Sequence, residues 1–217
     1  FPERVAACRS QLAGTGERGV VGEAHCHVGF DAYERLVADE VDLVLLATPP
    51  HFRPMQFEAA VRAGKHVFME KPVATDAPGV RMVLETAAMA RDRNLNVVVG
   101  LQRRYQTVYR EWVDRIHAGM IGDVILGRVY WNDGGVWVRE RQPQQTEMEY
   151  QMRNWYYFTW LSGDFNVEQF VHQLDRMAWV MKDEYPLRCY STGGRQARTG
   201  PDHGHIYDHF STVFEYA

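Results

Sequence analysis

"VDLVLLATPPHFRP", Val41 to Pro54, is the stretch on which the fold turns. The run Val41–Ala47 is apolar almost throughout, as expected of a parallel strand covered on both faces. The residues after it change period: Phe57, Ala60 and Val61 make a helical stripe, and Gly64 stands where a helix C-terminal glycine belongs. "HVFME" (His66–Glu70) then reads as a second strand. In the next segment Asp76 is placed to cap a helix and Pro78 suits its first turn; Val80, Val83, Leu84, Ala87 and Ala88 supply its apolar face. "NVVVG" (Asn96–Gly100) is a third strand. Strand, helix, strand, helix, strand predicts a parallel sheet with right-handed crossovers.

Upstream, Gly14-Thr15-Gly16-Glu17-Arg18-Gly19 matches GxGxxG letter for letter. That fingerprint cradles a pyrophosphate only when a buried strand enters it and a helix opens after it. Here Val5, Cys8 and Leu12 give the preceding residues a helical spacing, and the residues after Gly19 show no helical pattern. The run reads as a helix C-terminus and a loop.

Downstream of Gly100 the rhythm changes. "YREWVDRIHAG" predicts a helix, Asp123 to Trp131 a long strand, Asn166 to Met181 another helix, and "PLRCYST" and "IYDHFSTVFEY" two further strands. This pattern suits an α+β domain with a mostly antiparallel or mixed open sheet. The boundary falls near Leu101, giving domains 1–101 and 102–217.

The 217 residues carry a formal charge of −4, with 46% hydrophobic and 24% charged side chains, which offers no footing for nucleic acid or an anionic membrane surface. No apolar run approaches the roughly 20 residues that span a bilayer. Cys8, Cys26 and Cys189 are odd in number and far apart, as free thiols in a reducing, cytoplasmic compartment would be. Both ends read as cut from something longer, so a targeting segment and periplasmic export stay open.

Three stretches carry candidate chemistry: "ATPPHFRP", "MEKPV" and "GLQRRY". Each follows a predicted parallel strand, the end at which open α/β sheets bind ligands. Pro49 and Pro50 stiffen a loop, and Pro72 confines Lys71 to extended conformations, with a cis Lys71-Pro72 bond as one option. Thr48-Pro49-Pro50, Ala63-Gly64-Lys65-His66-Val67 and Glu70-Lys71-Pro72 occur in an order that resembles the Gfo/Idh/MocA oxidoreductases. "GMIGDV" and "HQLDRMAWVM" extend the likeness over essentially the whole chain.

The resemblance implies a Rossmann-type sheet whose first strands, glycine turn and ribose-binding acid lie upstream of Phe1. It also implies NAD or NADP as cofactor, a carbohydrate or polyol substrate, and a homo-oligomer, with the strand Asp123–Trp131 as a candidate surface for assembly. Thr48, Pro49, Pro50, His51, Glu70, Lys71, Pro72 and Arg103 become candidate cofactor contacts. Lys71, His172 and Glu168 become candidate catalytic residues, with Glu168 standing where an aspartate is usual in the family.

On a continuous helix Glu168, His172 and Asp175 share a face. A histidine titrating near working pH suits removal of a hydroxyl proton, and a lysine cation beside the oxygen suits a developing alkoxide. Candidate substrate contacts are Arg104, Tyr105, Trp155, Tyr156, Asp175 and His209; the aromatic residues read equally as core. "HCH" (25–27) and the histidines at 203, 205 and 209 lack the paired spacing of a structural metal site, so no metal is expected. If residues 203–209 form a strand, those histidines share one face and line a cleft or an interface. Two other functional readings remain: a glycosidase or lyase using a transient keto-sugar, and a non-catalytic regulatory or binding protein.

Overall fold

A computed structural model describes residues 1–217. Its helices are α1 (Pro2–Ala13), α2 (Ala32–Ala38), α3 (Arg53–Arg62), α4 (Ala77–Asp92), α5 (Thr107–His117), α6 (Glu147–Arg153), α7 (Thr159–Ser162), α8 (Asp164–Glu168) and α9 (Val171–Val180). The strands are β1 (Leu43–Leu46), β2 (His66–Met69), β3 (Val97–Val99), β4 (Arg188–Gly194) and β5 (His209–Glu215).

The predicted parallel sheet is present, in the order β1-β2-β3, with Leu46 opposite Met69 and Met69 opposite Val99. The strand ends carrying the three candidate loops therefore lie side by side. Val44, Leu46, Val67 and Met69 pack on Phe57, Ala60 and Val61 of α3 and on Val83 and Ala90 of α4. Asp76 caps α4 by accepting from the Gly79 amide, and Gly64 takes a positive φ of 74° just past α3, as its position predicts.

Two expectations for this half need correction. β1 is covered on one face only: Val44 and Leu46 are buried while Leu43 and Leu45 are exposed. The reason is that α3 and α4, which pack against each other, both cover the same side of the sheet. On α4 the buried side is Val83, Thr86 and Ala90, whereas Val80 and Leu84 face outward; Thr86 was not legible as core because its hydroxyl masks the stripe.

The run Gly14–Gly19 follows the C-terminus of α1 and closes in a short 3-10 turn, with no strand entering it. It has no helix N-terminus to offer an anion.

In the second half, Tyr150, Tyr156, Tyr157, Phe158, Leu161 and Ile206 form a separate buried cluster. β4 and β5 pair antiparallel, Arg188 opposite Glu215. The long strand predicted for Asp123–Trp131 is absent: the segment runs without regular structure, and Ile125 and Leu126 are exposed. A strand needs a ladder partner, and this segment pairs with neither open edge of the two-stranded β4-β5 sheet. The segment instead passes along α9, where Gln173 donates to the Tyr130 carbonyl.

The predicted helix Asn166–Met181 is two helices, α8 and α9, interrupted at Gln169 and Phe170. The predicted shared face of residues 203–209 also fails, because Pro201–His203 form a 3-10 turn and β5 begins only at His209. No helix is long and apolar enough to cross a membrane.

Candidate functional site

The interruption between α8 and α9 has a direct cause in the site. In an unbroken helix the Glu168 carbonyl would accept from the His172 amide. It accepts from Lys71 Nζ instead, at 2.5 Å, and the His172 amide turns to the Gln169 carbonyl at 3.3 Å. Lys71 Nζ also lies 2.7 Å from Glu168 Oε1, both side chains being largely buried. A residue following β2 is thereby tied, over 97 positions of sequence, to the C-terminal residue of α8.

His172 is 5% exposed and the only buried residue of α9. Its ring stacks on Trp131, with centroids 5.9 Å apart and planes 22° apart. Burial, reinforced by the charges of Lys71, Arg103 and Arg176, pushes its pKa down to about 4. This corrects the expected titration near neutrality: the imidazole is held neutral, able to accept a proton but not to store one. Its Nδ1 has no partner.

The loops around this centre are bound to each other. Arg53, 4% exposed, donates through one terminal nitrogen to the Pro72 carbonyl at 2.5 Å and through the other to the Thr48 carbonyl at 2.7 Å. Thr48 Oγ1 donates to Gln56 Oε1 at 2.6 Å. The Lys71-Pro72 peptide is cis. The Glu70 carboxylate lies over Gly100, where a Cβ would come within 2.6 Å of Oε2, so a glycine is required for that approach.

Glu70, Lys71, Gly100, Gln102 and Tyr105 help line an open hollow of about 360 Å³ at the ends of β2 and β3. Lys71 contributes to this hollow as well as to the pair with Glu168. A smaller recess of about 40 Å³ is lined by Trp131 together with Tyr156, Gln169 and Arg198.

The remaining predicted site residues divide. Arg104 binds Asp175 at 2.8 Å and Asp183 at 2.6 Å, so the arginine after β3 and the aspartate on α9 are bound to each other. Arg103 reaches toward the Tyr109 ring, which Arg176 approaches as well. His51 packs edge-on against Trp160. Pro50 is buried in the turn that opens α3. Trp155 and Tyr156 pack together with Trp137 in the aromatic cluster. His209 is exposed and bonds Asp208. His203 and His205 pack against Tyr157 and Phe158, so these histidines are dispersed into separate packing roles.

Arg53 and Trp131 were missed by sequence reasoning. Arg53 had one signal, a charge between Phe52 and Pro54 at the buried start of a helix. Trp131 had none, because its contact with His172 depends on the path of an irregular segment.

The buried polar atoms left without a partner gather here: Arg53 Nε, Arg103 Nε, Glu168 Oε2, His172 Nδ1, Gln173 Oε1, Asp175 Oδ2 and Arg176 Nε, with His203 Nδ1 alone lying elsewhere. Buried groups are rarely left unpaired, so such a concentration marks a place where water or ligand is accommodated. For a nicotinamide cofactor, the hollow beside Glu70 and Lys71 offers a carboxylate for ribose hydroxyls and an apolar wall from β2 and β3. The fit extends to that end of the cofactor, since the GxGxxG run stands at a helix C-terminus.

Comparison with known proteins bears on the same residues. Residues 11–101 match a family described as an oxidoreductase family with an NAD-binding Rossmann fold. Inositol 2-dehydrogenase 3 of Saccharopolyspora erythraea is 30% identical over 178 residues, 81% of this chain and 45% of that protein. Inositol 2-dehydrogenase/D-chiro-inositol 3-dehydrogenase of Shouchella clausii is 28% identical over 152 residues, 70% of this chain and 38% of that protein. The chain thus spans less than half the length of these two curated relatives. In fold it is similar to the aldose-aldose oxidoreductase of Caulobacter crescentus, with a TM-score of 0.64 at 20% identity, over 98% of this chain and 62% of the other. With their parallel sheet and loop order, residues 11–101 match the NAD-binding Rossmann fold of the Gfo/Idh/MocA oxidoreductases, and the chain as a whole is similar to the inositol dehydrogenases named above.

Proposed function

We propose that these residues form the reacting end of an NAD(P)-dependent oxidoreductase acting on a secondary alcohol of a polyol or sugar, with an inositol-like cyclitol as the first substrate to try. The observation that carries this reading is the meeting of Lys71 with Glu168 at 2.7 Å, beside a neutral His172 and at the mouth of the hollow between β2 and β3. The inositol dehydrogenases among the similar proteins support the substrate class.

When bound, the nicotinamide cofactor supplies the hydride acceptor or donor. Lys71 keeps its charge close to the reacting oxygen, where it stabilises negative charge that develops as the hydroxyl proton leaves. His172, neutral through the physiological range, is available to take that proton. Glu168 anchors the ammonium from behind with a carboxylate oxygen and a backbone carbonyl, which fixes its position without removing its charge. Trp131 covers one face of the imidazole and excludes water from it. Glu70 holds a ribose hydroxyl, and Tyr105, exposed at the hollow, offers a flat wall to the ring being oxidised.

The test is to incubate the full-length protein with NAD+ or NADP+ and a panel of cyclitols, alditols and aldoses, and to follow reduced cofactor. Reduction with at least one polyol, lost in K71M, is expected. No reduction with any, or full activity in K71M, contradicts the reading; bond cleavage without net reduction assigns the redox-assisted lyase or glycosidase alternative instead.

A further inference from the structure

We infer that Arg53 is a positioning residue for Lys71, clasping the loop after β1 to the loop after β2 so that the lysine is presented to the cleft in one place. The inference rests on the proposed catalytic role of Lys71 but concerns a different residue and a separate measurement.

Three observations carry it. Arg53 stands at the start of α3, whose Phe57, Ala60 and Val61 are fully buried, so its backbone is fixed by the most tightly packed part of the molecule. Its two terminal nitrogens diverge to carbonyls of two different loops, Thr48 and Pro72, the second being the residue immediately after Lys71. A planar guanidinium does this with a single rigid group, whereas an ammonium has no fixed fork. Finally, the group is buried without a carboxylate in contact, an arrangement that costs free energy and is retained only where it accomplishes something.

The compensation for that buried charge is itself part of the site. Burial draws the guanidinium pKa down to about 10, and the charges of Glu70 and Glu168 oppose the shift. Arg53 therefore stays charged at neutral pH, favoured from beyond contact distance by the charges of Glu168, which also pairs with Lys71, and of Glu70, which lies over Gly100. Removing it takes away both the mechanical link between the loops and a positive charge that balances Glu168. Either change lets the segment Glu70–Pro72 leave its seat, and displacement of about an ångström at a reacting group costs up to roughly a hundredfold in rate.

The experiment measures exposure of Lys71 independently of turnover. R53Q and R53K are made in the full-length protein, and acylation of each lysine by a limiting amine reagent is followed by peptide mass spectrometry. Lys182 serves as an exposed reference and Lys65, after α3, as a reference for the sheet layer. Acylation of Lys71 is expected to rise roughly tenfold or more in R53Q, the change in a loop-opening equilibrium that follows loss of a charge-assisted hydrogen bond. Lys65 and the amides of α3 should keep their wild-type behaviour. R53K, which keeps the charge and loses the fork, should show a smaller rise; if R53Q does not accumulate as folded protein, R53K alone decides. With the best polyol, kcat should fall about tenfold in R53K while KM changes little. Wild-type reactivity of Lys71 in the variants overturns the inference. So does loosening of Lys71, Lys65 and α3 by one common factor, which makes Arg53 a general stability residue. A K71M enzyme of full activity would defeat the catalytic reading and leave the acylation result standing.

Discussion

Around Phe57, Ala60 and Val61 the first half of the chain buries aliphatic side chains between a sheet and two helices. The second half buries Tyr150, Tyr156, Tyr157 and Phe158, and it secures them with polar contacts from the chain around them. Asn154 is wholly buried, donates to the Asp202 carbonyl and accepts from the Arg139 amide. Asp208 accepts from the amides of Gln196, Ala197 and Arg198, which draws its pKa far below the carboxylate range. The contrast teaches why one half is readable and the other is not: the first closes its core between consecutive elements, and the second relies on partners far along the chain. The candidate site lies where the two regimes meet, at Lys71 and Glu168.

The comparison breaks most visibly in the first half. F57A leaves a cavity beneath β1 and β2 and should cost about 3–5 kcal/mol in a denaturant titration, with the second half's aromatic signal falling only as the whole protein unfolds. Next in size is E168A. Removing one partner of a buried ion pair strands the other, so a loss of about 3–5 kcal/mol is the upper expectation and E168Q should recover part of it. A smaller effect belongs to N154A, which orphans the Arg139 amide and the Asp202 carbonyl; about 1–3 kcal/mol is expected, read from chemical denaturation. Equal losses for F57A and N154A would erase the distinction between the two cores. Smallest is T146A. It removes the capping box that Thr146 makes with Glu149 at the start of α6, and about 1 kcal/mol should follow, seen as faster amide exchange in that helix.

The acid limb of the stability curve sharpens the same contrast. The folded-state pKa of His172 is lowered to about 4 from an ordinary value of 6.5, so between these values the unfolded chain binds the proton and the folded one does not. Stability contributed by the neutral imidazole is complete above about pH 6.5 and is lost as pH falls toward 4. H172N should show a shallower decline over that window, measured as melting temperature against pH. Identical slopes would mean that His172 titrates normally.

How much was legible follows from these details. The loops at 48–50 and 70–72 were found because short strands of apolar residues fix where a parallel sheet ends, and the capping of α4 by Asp76 was readable because a cap is local. The break between α8 and α9 was not readable, since the residue that takes the Glu168 carbonyl is Lys71, nearly a hundred positions away. The strand expected at Asp123–Trp131 had the composition for one, but composition does not decide whether a run docks on an open sheet edge or, as here, passes along a helix. Pairing of Arg104 with Asp175 and Asp183 was likewise hidden, because the partners lie 71 and 79 positions away and nothing local marks them as its counter-ions.

The central claim is that Lys71 and His172, brought from opposite halves, act on one substrate oxygen. A double-mutant cycle on kcat/KM in the full-length protein, with K71M, H172N and K71M/H172N, tests it most directly. If the two groups act together, either single change should cost about a hundredfold or more and the double variant little beyond the worse of the two. Strictly multiplicative losses, or a single variant that retains wild-type turnover, would contradict it.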